Sequence, residues 1–164
     1  ARFHYGGTNF CAMFLASERD DGGISLGFEK NPSGRNVAFL PMPGGHMKFY
    51  ILYDNVTKLY WLLSTQSTDS MIKPELLSAD RYNLPNNERQ RLVLHFSKNL
   101  VDWCFAGIVD VGETQRQARH YASMAIDGDD LLIVSRSGDK DAFSAHDTNI
   151  VTFHRIKSFR RLVN

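Results

Sequence analysis

Residues His120 to Ser137 read HYASMAIDGDDLLIVSRS, two apolar runs separated by Asp127-Gly128-Asp129. An Asp-Gly turn between β-rich segments is a strong hairpin signal, because the turn needs residues that tolerate positive φ. The same design occurs earlier, where Met47 to Asp54 (MKFYILYD) leads through a four-residue turn into Leu59 to Thr65 (LYWLLST). The recurrence of this hairpin predicts a repeated β architecture.

Further strands are predicted around these hairpins, and no helical periodicity runs beyond two turns. Arg91 to Ser97 (RLVLHFS) alternates apolar and polar residues, which predicts one buried face and one solvent-facing side. Grouping gives one set of four antiparallel strands and a second set of three, so the predicted class is all-β. The strands of the first set are 47–54, 59–65, 91–97 and 102–111, and those of the second are 121–126, 131–136 and 149–156.

Repeats of about 40 to 50 residues, each a four-stranded sheet, are typical of β-propeller blades. On this interpretation, residues 1–164 form a single partial propeller domain with blade-like sets at about 47–111 and 121–156. Residues 1–45 then belong to a preceding blade. A complete propeller of five or six such blades needs a longer chain, so the domain is expected to be incomplete. A β-sandwich accounts for the strand count nearly as well.

Composition narrows the classes of protein and of partner. The chain has 164 residues, 43% of them hydrophobic, and a net charge of +1, which favours a globular domain with a core and argues against nucleic acid or an anionic membrane as the main partner. No apolar run is long enough to span a bilayer. Because the first residues (ARFHYGGTNF) include no Met and no signal-peptide pattern, we expect the natural beginning to be missing. Cys11 and Cys104 are predicted to be buried free thiols.

Three segments between residues 47 and 164 carry a family resemblance. Ser97 to Trp103 (SKNLVDW) separates two predicted strands, Arg119 to Met124 (RHYASM) precedes Asp127-Gly128, and Ala145 to Ile156 (AHDTNIVTFHRI) ends the second set. They resemble the Asp-box turn, the segment with the nucleophilic tyrosine, and the closing segment of bacterial sialidase-like propellers of the BNR or Asp-box type. The first differs from the strict Asp-box, which has Asp third, then Gly and Thr, and one more residue before Trp.

The resemblance implies the C-terminal part of a glycoside-hydrolase-like protein in which the segments opening at Met47 and Tyr121 line a central channel. It implies Tyr121 as the nucleophile, because a neutral tyrosine is not repelled by an anionic sugar. It implies Arg119 or Arg116 as a ligand of the substrate carboxylate, which arginine binds bidentately. It also implies an extracytoplasmic location, periplasmic or secreted. The structural alternative is that Tyr121 fills the channel and Arg119 is an exposed loop residue.

Other candidates lie in loops and near strand ends. His146 and Asp147 form a sequence pair that serves either as a general acid or as a turn cap with a solvated imidazole. His46 follows a Pro-Gly-Gly segment and enters a candidate inner strand, whereas Arg89 lies in a charged segment that is either a lip over the site or a solvated loop. The predicted catalytic residues are Tyr121, Asp147 and His146, and the predicted substrate-binding residues are Arg119, Arg136, His46, Asn149 and Arg89.

These residues lead to one main function and two alternatives. The main hypothesis is a sialidase-like glycoside hydrolase that acts on a carbohydrate. The alternatives are a non-catalytic propeller module that binds glycans or proteins, and a β-sandwich or barrel with an interaction role. No metal or cofactor is predicted, because the six His residues are scattered and no nucleotide-binding motif is present. Besides carbohydrate, the expected partners are the missing blades or a second copy joined through open sheet edges.

Overall fold

The computed structural model describes residues 1–2, 9–81, 84 and 87–163, and they form antiparallel β-sheets with four short 3₁₀ helices. The predicted all-β class is confirmed, and the strands of the described part close into neither a barrel nor a full propeller. No helix among these residues is both long enough and apolar enough to cross a membrane. The strands are β1 (Phe10–Ala12), β2 (Leu15–Glu18), β3 (Ile24–Gly27), β4 (Glu29–Lys30), β5 (Asn36–Val37), β6 (Phe39–Pro41), β7 (Tyr50–Asp54), β8 (Leu59–Thr65), β9 (Arg91–Ser97), β10 (Cys104–Val111), β11 (Arg119–Asp127), β12 (Asp130–Ser137) and β13 (Ile150–Ile156). The 3₁₀ helices are Asp69–Met71, Pro74–Leu76, Ala79–Arg81 and Phe159–Leu162.

The first large sheet is a four-stranded meander in the order β10-β9-β8-β7. Its β7–β8 turn is closed by the Asp54 carboxylate, which accepts hydrogen bonds from the backbone N–H groups of Val56 and Thr57. Lys58 completes the turn with a φ of 59°. Asp favours such positions because its side chain bonds the backbone two or three residues on. The four strands predicted within residues 47–111 are therefore present as one sheet.

The second large sheet is a three-stranded meander in the order β11-β12-β13. Its first turn pairs Asp127 with Asp130, and Gly128 between them has a φ of 59°. Only a residue that tolerates the left-handed region fits that position without strain. The Asp-Gly signal therefore predicted the hairpin and its turn correctly.

The main core lies between these two sheets. Trp61, Leu63, Leu92 and Leu94 of β8 and β9 meet Met124, Leu131 and Ile133 of β11 and β12, together with Phe159. The Trp61 and Phe159 rings pack edge to face with their centroids 4.9 Å apart, a geometry that aromatic pairs prefer. Each of these side chains contributes about 1.5–3 kcal/mol by leaving water. This core therefore determines which face of β11 packs against β8.

The four-stranded sheet is also covered on its other face. Leu62 packs there in a second cluster with Cys11 of β1, Met42, and the partly buried Leu40 of β6. The prediction that Arg91 to Ser97 has one wet face is therefore wrong, because five of its seven residues are buried. The polar residues His95 and Ser97 of β9 are buried rather than exposed to solvent.

The two cysteines differ in their surroundings, although both are free thiols. Cys11 is buried in the second cluster as predicted, and burial raises the pKa of its thiol. Cys104 is exposed because it begins β10, the edge strand of the four-stranded sheet. The prediction that Cys104 is buried is therefore wrong.

The three-stranded sheet presents an apolar outer face. Val134, Val151 and Phe153 lie there with 43%, 74% and 62% of their surface exposed. They are cross-strand neighbours on β12 and β13, since Val134 pairs with Phe153. One sheet is thus covered on both faces, whereas the other is covered on one.

Arg160 joins the turns of the two large sheets. Its Nε and Nη2 donate to the two Asp54 carboxylate oxygens at 2.9 and 3.0 Å, and its Nη1 donates to the Gly128 carbonyl and the Asp129 carboxylate. Asp54 is 2% exposed, so this pair is shielded from solvent. We call Asp54, Asp129 and Arg160 the turn clamp.

Candidate functional site

The strand β11 contains a bulge at Tyr121. His120 pairs with Arg136 and Ser123 pairs with Val134, so three steps along β11 match two along β12. Tyr121 has a φ of 50°, in the left-handed region that a residue with a large side chain rarely adopts. Neighbouring side chains of a regular strand point to opposite faces, yet here the His120 and Tyr121 rings stack with centroids 4.3 Å apart. The bulge therefore aims both rings at one place.

The guanidinium of Arg89 contacts both the His120 and the Tyr121 side chains. Its guanidinium Nη1 lies 2.9 Å from His120 Nδ1 and donates to the Tyr121 hydroxyl at 3.0 Å. Its position is fixed by the main chain, because its carbonyl accepts the backbone N–H of Arg119, the first residue of β11. Arg89 is 1% exposed and His120 is fully buried. A buried guanidinium that bonds two side chains of a bulge orients them rigidly.

His120 is a neutral imidazole in this site. Burial lowers the pKa of His120 to about 3, and the nearby charges of Arg89 and Arg136 act in the same direction. An arginine N–H can only donate, so Nδ1 accepts from Arg89 and the proton lies on Nε2. That Nε2 is buried and has no hydrogen-bond partner among the described residues.

Positive charges surround the Tyr121 ring. The ammonium of Lys48 lies 4.6 Å from the ring centre, and the guanidinium carbons of Arg89 and Arg136 lie at 5.5 and 5.9 Å. Burial raises the pKa of the Tyr121 phenol, but the hydrogen bonds and charges of Arg89 and Arg2 outweigh it, so the pKa is lowered. The result is a phenol poised toward its anionic form. We call Arg2, Lys48, Arg89, Arg136 and Tyr121 the cation cluster.

His146 and Asp147 lie at the edge of this cluster. The His146 ring centre is 6.5 Å from those of both His120 and Tyr121, in edge-to-face geometry. His146 Nδ1 lies 2.9 Å from Asp147 Oδ1, and both side chains are half exposed. The loop is shaped by Ser144, whose hydroxyl accepts the backbone N–H groups of both residues. The bond to His146 lowers the pKa of the Asp147 carboxyl, so Asp147 is a carboxylate that orients the imidazole.

Five of the eight predicted site residues meet in this region. They are Tyr121, His146, Asp147, Arg89 and Arg136.

The other three predicted site residues make structural contacts. Arg119 pairs with Asp110 and donates to the carbonyls of Gln117, Ala118 and Gly138. His46 is fully buried, with Nε2 2.8 Å from Ser67 Oγ. Asn149 donates to the Asp139 carboxylate at 2.8 Å.

Glu88, next to Arg89, is turned away from Tyr121. Its carboxylate accepts the backbone N–H groups of Thr68, Asp69 and Ser70. Burial raises the pKa of Glu88, but these hydrogen bonds outweigh it and the pKa is lowered. Glu88 is therefore a carboxylate that orders the loop after β8.

Sequence reasoning missed Arg2, Lys48 and His120. Lys48 follows His46 at the start of the first hairpin, and His120 precedes the candidate nucleophile, so both positions were close to residues already selected. Regular alternation along a strand places neighbouring residues on opposite faces, and only the bulge brings the His120 and Tyr121 rings together. Lys48 rather than His46 contacts the Tyr121 ring, because His46 is buried against Ser67.

The described residues contain no group of three or more His, Cys, Asp or Glu side chains arranged to hold a metal ion. Comparison of the chain with known protein families, with curated proteins and with solved structures found no match. The functional argument therefore depends on the geometry around Tyr121.

Proposed function

We propose that this protein is a sialidase-like glycoside hydrolase that removes a terminal sugar bearing a carboxylate. The observation that supports the proposal is the position of Tyr121, which is aimed by a bulge, hydrogen-bonded by buried Arg89 and surrounded by cations. Perturbed titratable groups that converge at one strained position are typical of active sites.

The electrostatics favour an anionic substrate. Several cationic side chains meet at one spot, and none of the described carboxylates lies within ion-pair distance of Lys48 or Arg136. Like charges so close together repel one another, and an incoming carboxylate relieves that repulsion. Arg136 is partly buried at the strand end, where a planar guanidinium is suited to bind a carboxylate bidentately. This argument favours an acidic sugar over a neutral one.

The chemistry follows the two-step scheme of retaining glycosidases. The Tyr121 hydroxyl proton passes to His146 Nε2 while the phenolate oxygen attacks the anomeric carbon. The bond from that carbon to the leaving oxygen breaks, and His146 returns the proton to this oxygen. Water then gives a proton to His146 and its oxygen displaces Tyr121, which recovers the proton. Asp147 holds His146 in place through Nδ1 and leaves Nε2 for these transfers.

Tyrosine suits an acidic sugar better than a carboxylate does. A carboxylate nucleophile would be repelled by the substrate carboxyl group as it approached, whereas a phenol is neutral until its proton leaves. The Arg89 hydrogen bond stabilises the phenolate that forms. The cation cluster thus assists both the binding of the substrate and the activation of the nucleophile.

The same proposal includes the fold. Two successive antiparallel meanders that stack face to face through β11 and β8 fit adjacent blades of a β-propeller. Lys48 precedes β7, the first strand of one meander, and Tyr121 is the third residue of β11, the first strand of the other. We propose that these strands are innermost and that the cation cluster lies at the mouth of the channel.

The proposal is tested by Tyr121→Phe, with Tyr50→Phe as the matched control. Tyr50 is 40% exposed, outside the cation cluster. With a fluorogenic α-glycoside of N-acetylneuraminic acid, we expect Tyr121→Phe to lose at least about 1,000-fold in kcat, because the nucleophilic oxygen is gone. Tyr50→Phe should retain full activity.

Two results contradict this assignment. Equal turnover by the wild type and Tyr121→Phe would exclude Tyr121 as the nucleophile. Binding of the acidic sugar without turnover by the wild type would instead identify a non-catalytic glycan-binding module, the second candidate. The observation that favours this second candidate is the exposure of His146 and Asp147, whose side chains are about half exposed to solvent.

A further inference from the structure

We infer that the strand β13 is a dimerisation edge, which pairs in antiparallel orientation with β13 of a second copy of this chain. Among the strands that the structure describes, β13 is the last of the three-stranded sheet and pairs only with β12. The backbone donors and acceptors on its other side are therefore open to a further strand. This inference stands apart from the proposed function, because β12 lies between β13 and β11, the strand that contains Tyr121.

The edge at β13 is regular, unlike the edge of the four-stranded sheet at β10. All seven residues of Ile150–Ile156 pair with consecutive residues of β12, without a register shift. The pairing of β10 with β9 shifts twice, at Phe105–Gly107 and at Ile108–Asp110. Irregularities of this kind bend an edge strand and oppose its pairing with other strands. The edge at β10 is therefore poorly suited to accept a strand, whereas the edge at β13 is well suited.

The side chains of β13 are those of a paired strand. Val151 and Phe153 are 74% and 62% exposed on the outer face of the sheet. Arg155 is the one permanently charged residue of the strand, and Asp130 balances its charge through a contact of 2.6 Å. Edge strands that stay unpaired usually carry a charge, a proline or a bulge in the middle, but β13 has Phe153 there. This composition indicates that the strand is covered in the assembled protein.

The sequence of β13 is complementary to itself, which favours a second copy as the partner. A two-fold axis at Phe153, the central residue, pairs all seven residues of one strand with all seven of the other. It places Phe153 opposite Phe153 of the second copy, a favourable aromatic pair, and Ile150 opposite Ile156. Arg155 then faces Val151, so no like charges oppose each other.

Other two-fold registers are less favourable. An axis at His154 would leave two residues of each strand unpaired and place two imidazoles opposite each other. An axis at Arg155 would bring two guanidinium groups face to face, and like charges directly opposite are destabilising. The expected assembly is therefore one continuous sheet centred on Phe153. The two copies of β11 form its outermost strands, so the dimer leaves both Tyr121 residues on the sides away from the interface.

The register is tested by disulfide formation between two full-length chains in which the exposed Cys104 is replaced by Ser. In Phe153→Cys the thiols lie on directly opposite residues, whose Cα atoms are about 4.5–5.5 Å apart, within the reach of a disulfide. In Val151→Cys, the exposed control, the thiols are displaced by four residues, or about 14 Å, and cannot join. We expect covalent dimers from Phe153→Cys on non-reducing electrophoresis, and at least about tenfold fewer from Val151→Cys.

Association itself is tested by sedimentation equilibrium. We expect the wild type to form a dimer with a dissociation constant of about 10–100 μM, because a single pair of strands makes a small interface. Phe153→Lys should raise this constant about tenfold or more, since it removes the aromatic pair and places two ammonium groups opposite each other. Phe105→Lys is the matched control, because Phe105 is 58% exposed on the edge strand β10. It should associate as the wild type does.

Three results would overturn the inference. A wild-type chain that stays monomeric up to about 1 mM would exclude a second copy as the partner of β13. Equal weakening of the dimer by Phe153→Lys and Phe105→Lys would show that β13 is not the specific contact. Equal cross-linking of Val151→Cys and Phe153→Cys would exclude the register centred on Phe153. Sugar turnover enters none of these measurements, so the proposed function stands or falls separately.

Discussion

At the two ends of β11, arginines from other segments lie in opposite electrostatic surroundings. At the end that closes in the Asp127–Asp130 turn, Arg160 meets the carboxylates of Asp54 and Asp129 and its charge is balanced. At the end that begins at Arg119, Arg89 and Arg136 meet the Tyr121 ring and a neutral His120. The two ends are separated by the length of one strand.

This difference separates stability from function within one element. In the turn clamp, both the donors and the acceptors of the hydrogen bonds that join the two sheets belong to the protein. We therefore expect the clamp to contribute to the free energy of unfolding. In the cation cluster, Lys48 and Arg136 have no carboxylate of the described residues within ion-pair distance, and such a concentration of like charge costs stability unless a ligand binds. Balanced charge marks the part of the molecule that holds the sheets together, and the excess of positive charge marks the part that we propose binds an anion.

Among the variants that test this difference between the two ends, Asp54→Ala at the turn clamp has the largest expected effect. It removes the two bonds from Arg160 and those from the Val56 and Thr57 backbone. Because the pair is buried, we expect a loss of about 3 kcal/mol in the free energy of unfolding, measured by urea denaturation at pH 7. Turnover per folded molecule should be unchanged.

Asp21→Ala is the control for the clamp. Asp21 accepts two bonds from Arg19 and one from the Gly23 N–H, but both side chains are more than half exposed. We expect no measurable change, because exposed pairs contribute little. Equal destabilisation by the two variants would contradict the role given to burial.

Arg136→Gln tests the other end of β11. Removing one guanidinium from the cation cluster should raise KM for the acidic sugar about 10- to 100-fold, because a bidentate contact to the carboxylate is lost. The free energy of unfolding should stay constant or increase, since repulsion within the cluster decreases. Arg35→Gln, an exposed arginine of a distant hairpin, is the control. A loss of stability without a change in KM would show that Arg136 is structural.

The smallest expected effect is a difference in the pH at which the two ends lose stability. The pKa of His120 is lowered to about 3, so the folded state binds fewer protons than the unfolded state below about pH 6.5. Its contribution is complete above that pH and falls as the pH decreases toward 3. The pKa of Asp54 is lowered mainly by Arg160, so its contribution is complete above about pH 4 and falls only in stronger acid.

We expect His120→Gln to reduce the loss of stability between pH 7 and pH 5.5 by about 1 kcal/mol, because it removes one titrating group whose folded-state pKa is low. Glutamine keeps an acceptor for Arg89. An Asp54→Ala variant that altered this slope, rather than the slope below pH 4, would contradict the assignment of the two windows.

Local signals in the sequence were sufficient to predict the strands of the two large sheets. The Asp-Gly turn and the repeated hairpin predicted β7, β8, β11 and β12. For Leu59–Thr65 and Arg91–Ser97, the predicted first and last residues are the same as those of the observed strands. Burial was harder to predict, because β9 alternates polar and apolar residues and yet has five of its seven residues buried. The alternation of polar and apolar residues shows which side chains share a face of the strand, but it does not show which other parts of the protein cover that face.

The candidate site could be predicted only in part, for a physical reason. Tyr121, His146 and Arg136 lie on or near the second hairpin, where short-range reasoning applies. Lys48 and Arg89 reach Tyr121 from segments far away in the chain, and their convergence depends on how the two sheets stack. The family resemblance selected Arg119 as a carboxylate ligand, and in the structure this side chain pairs with Asp110.

The bulge at Tyr121 makes the site a local addition to an otherwise regular strand. Removing the single extra residue would return the ladder between β11 and β12 to simple alternation and release the left-handed backbone. The hairpin, the turn and the packing against β8 would all persist. An ancestor or descendant of this chain can therefore gain or lose the proposed site through insertion or deletion of one codon, while the surrounding β-sheets are inherited unchanged.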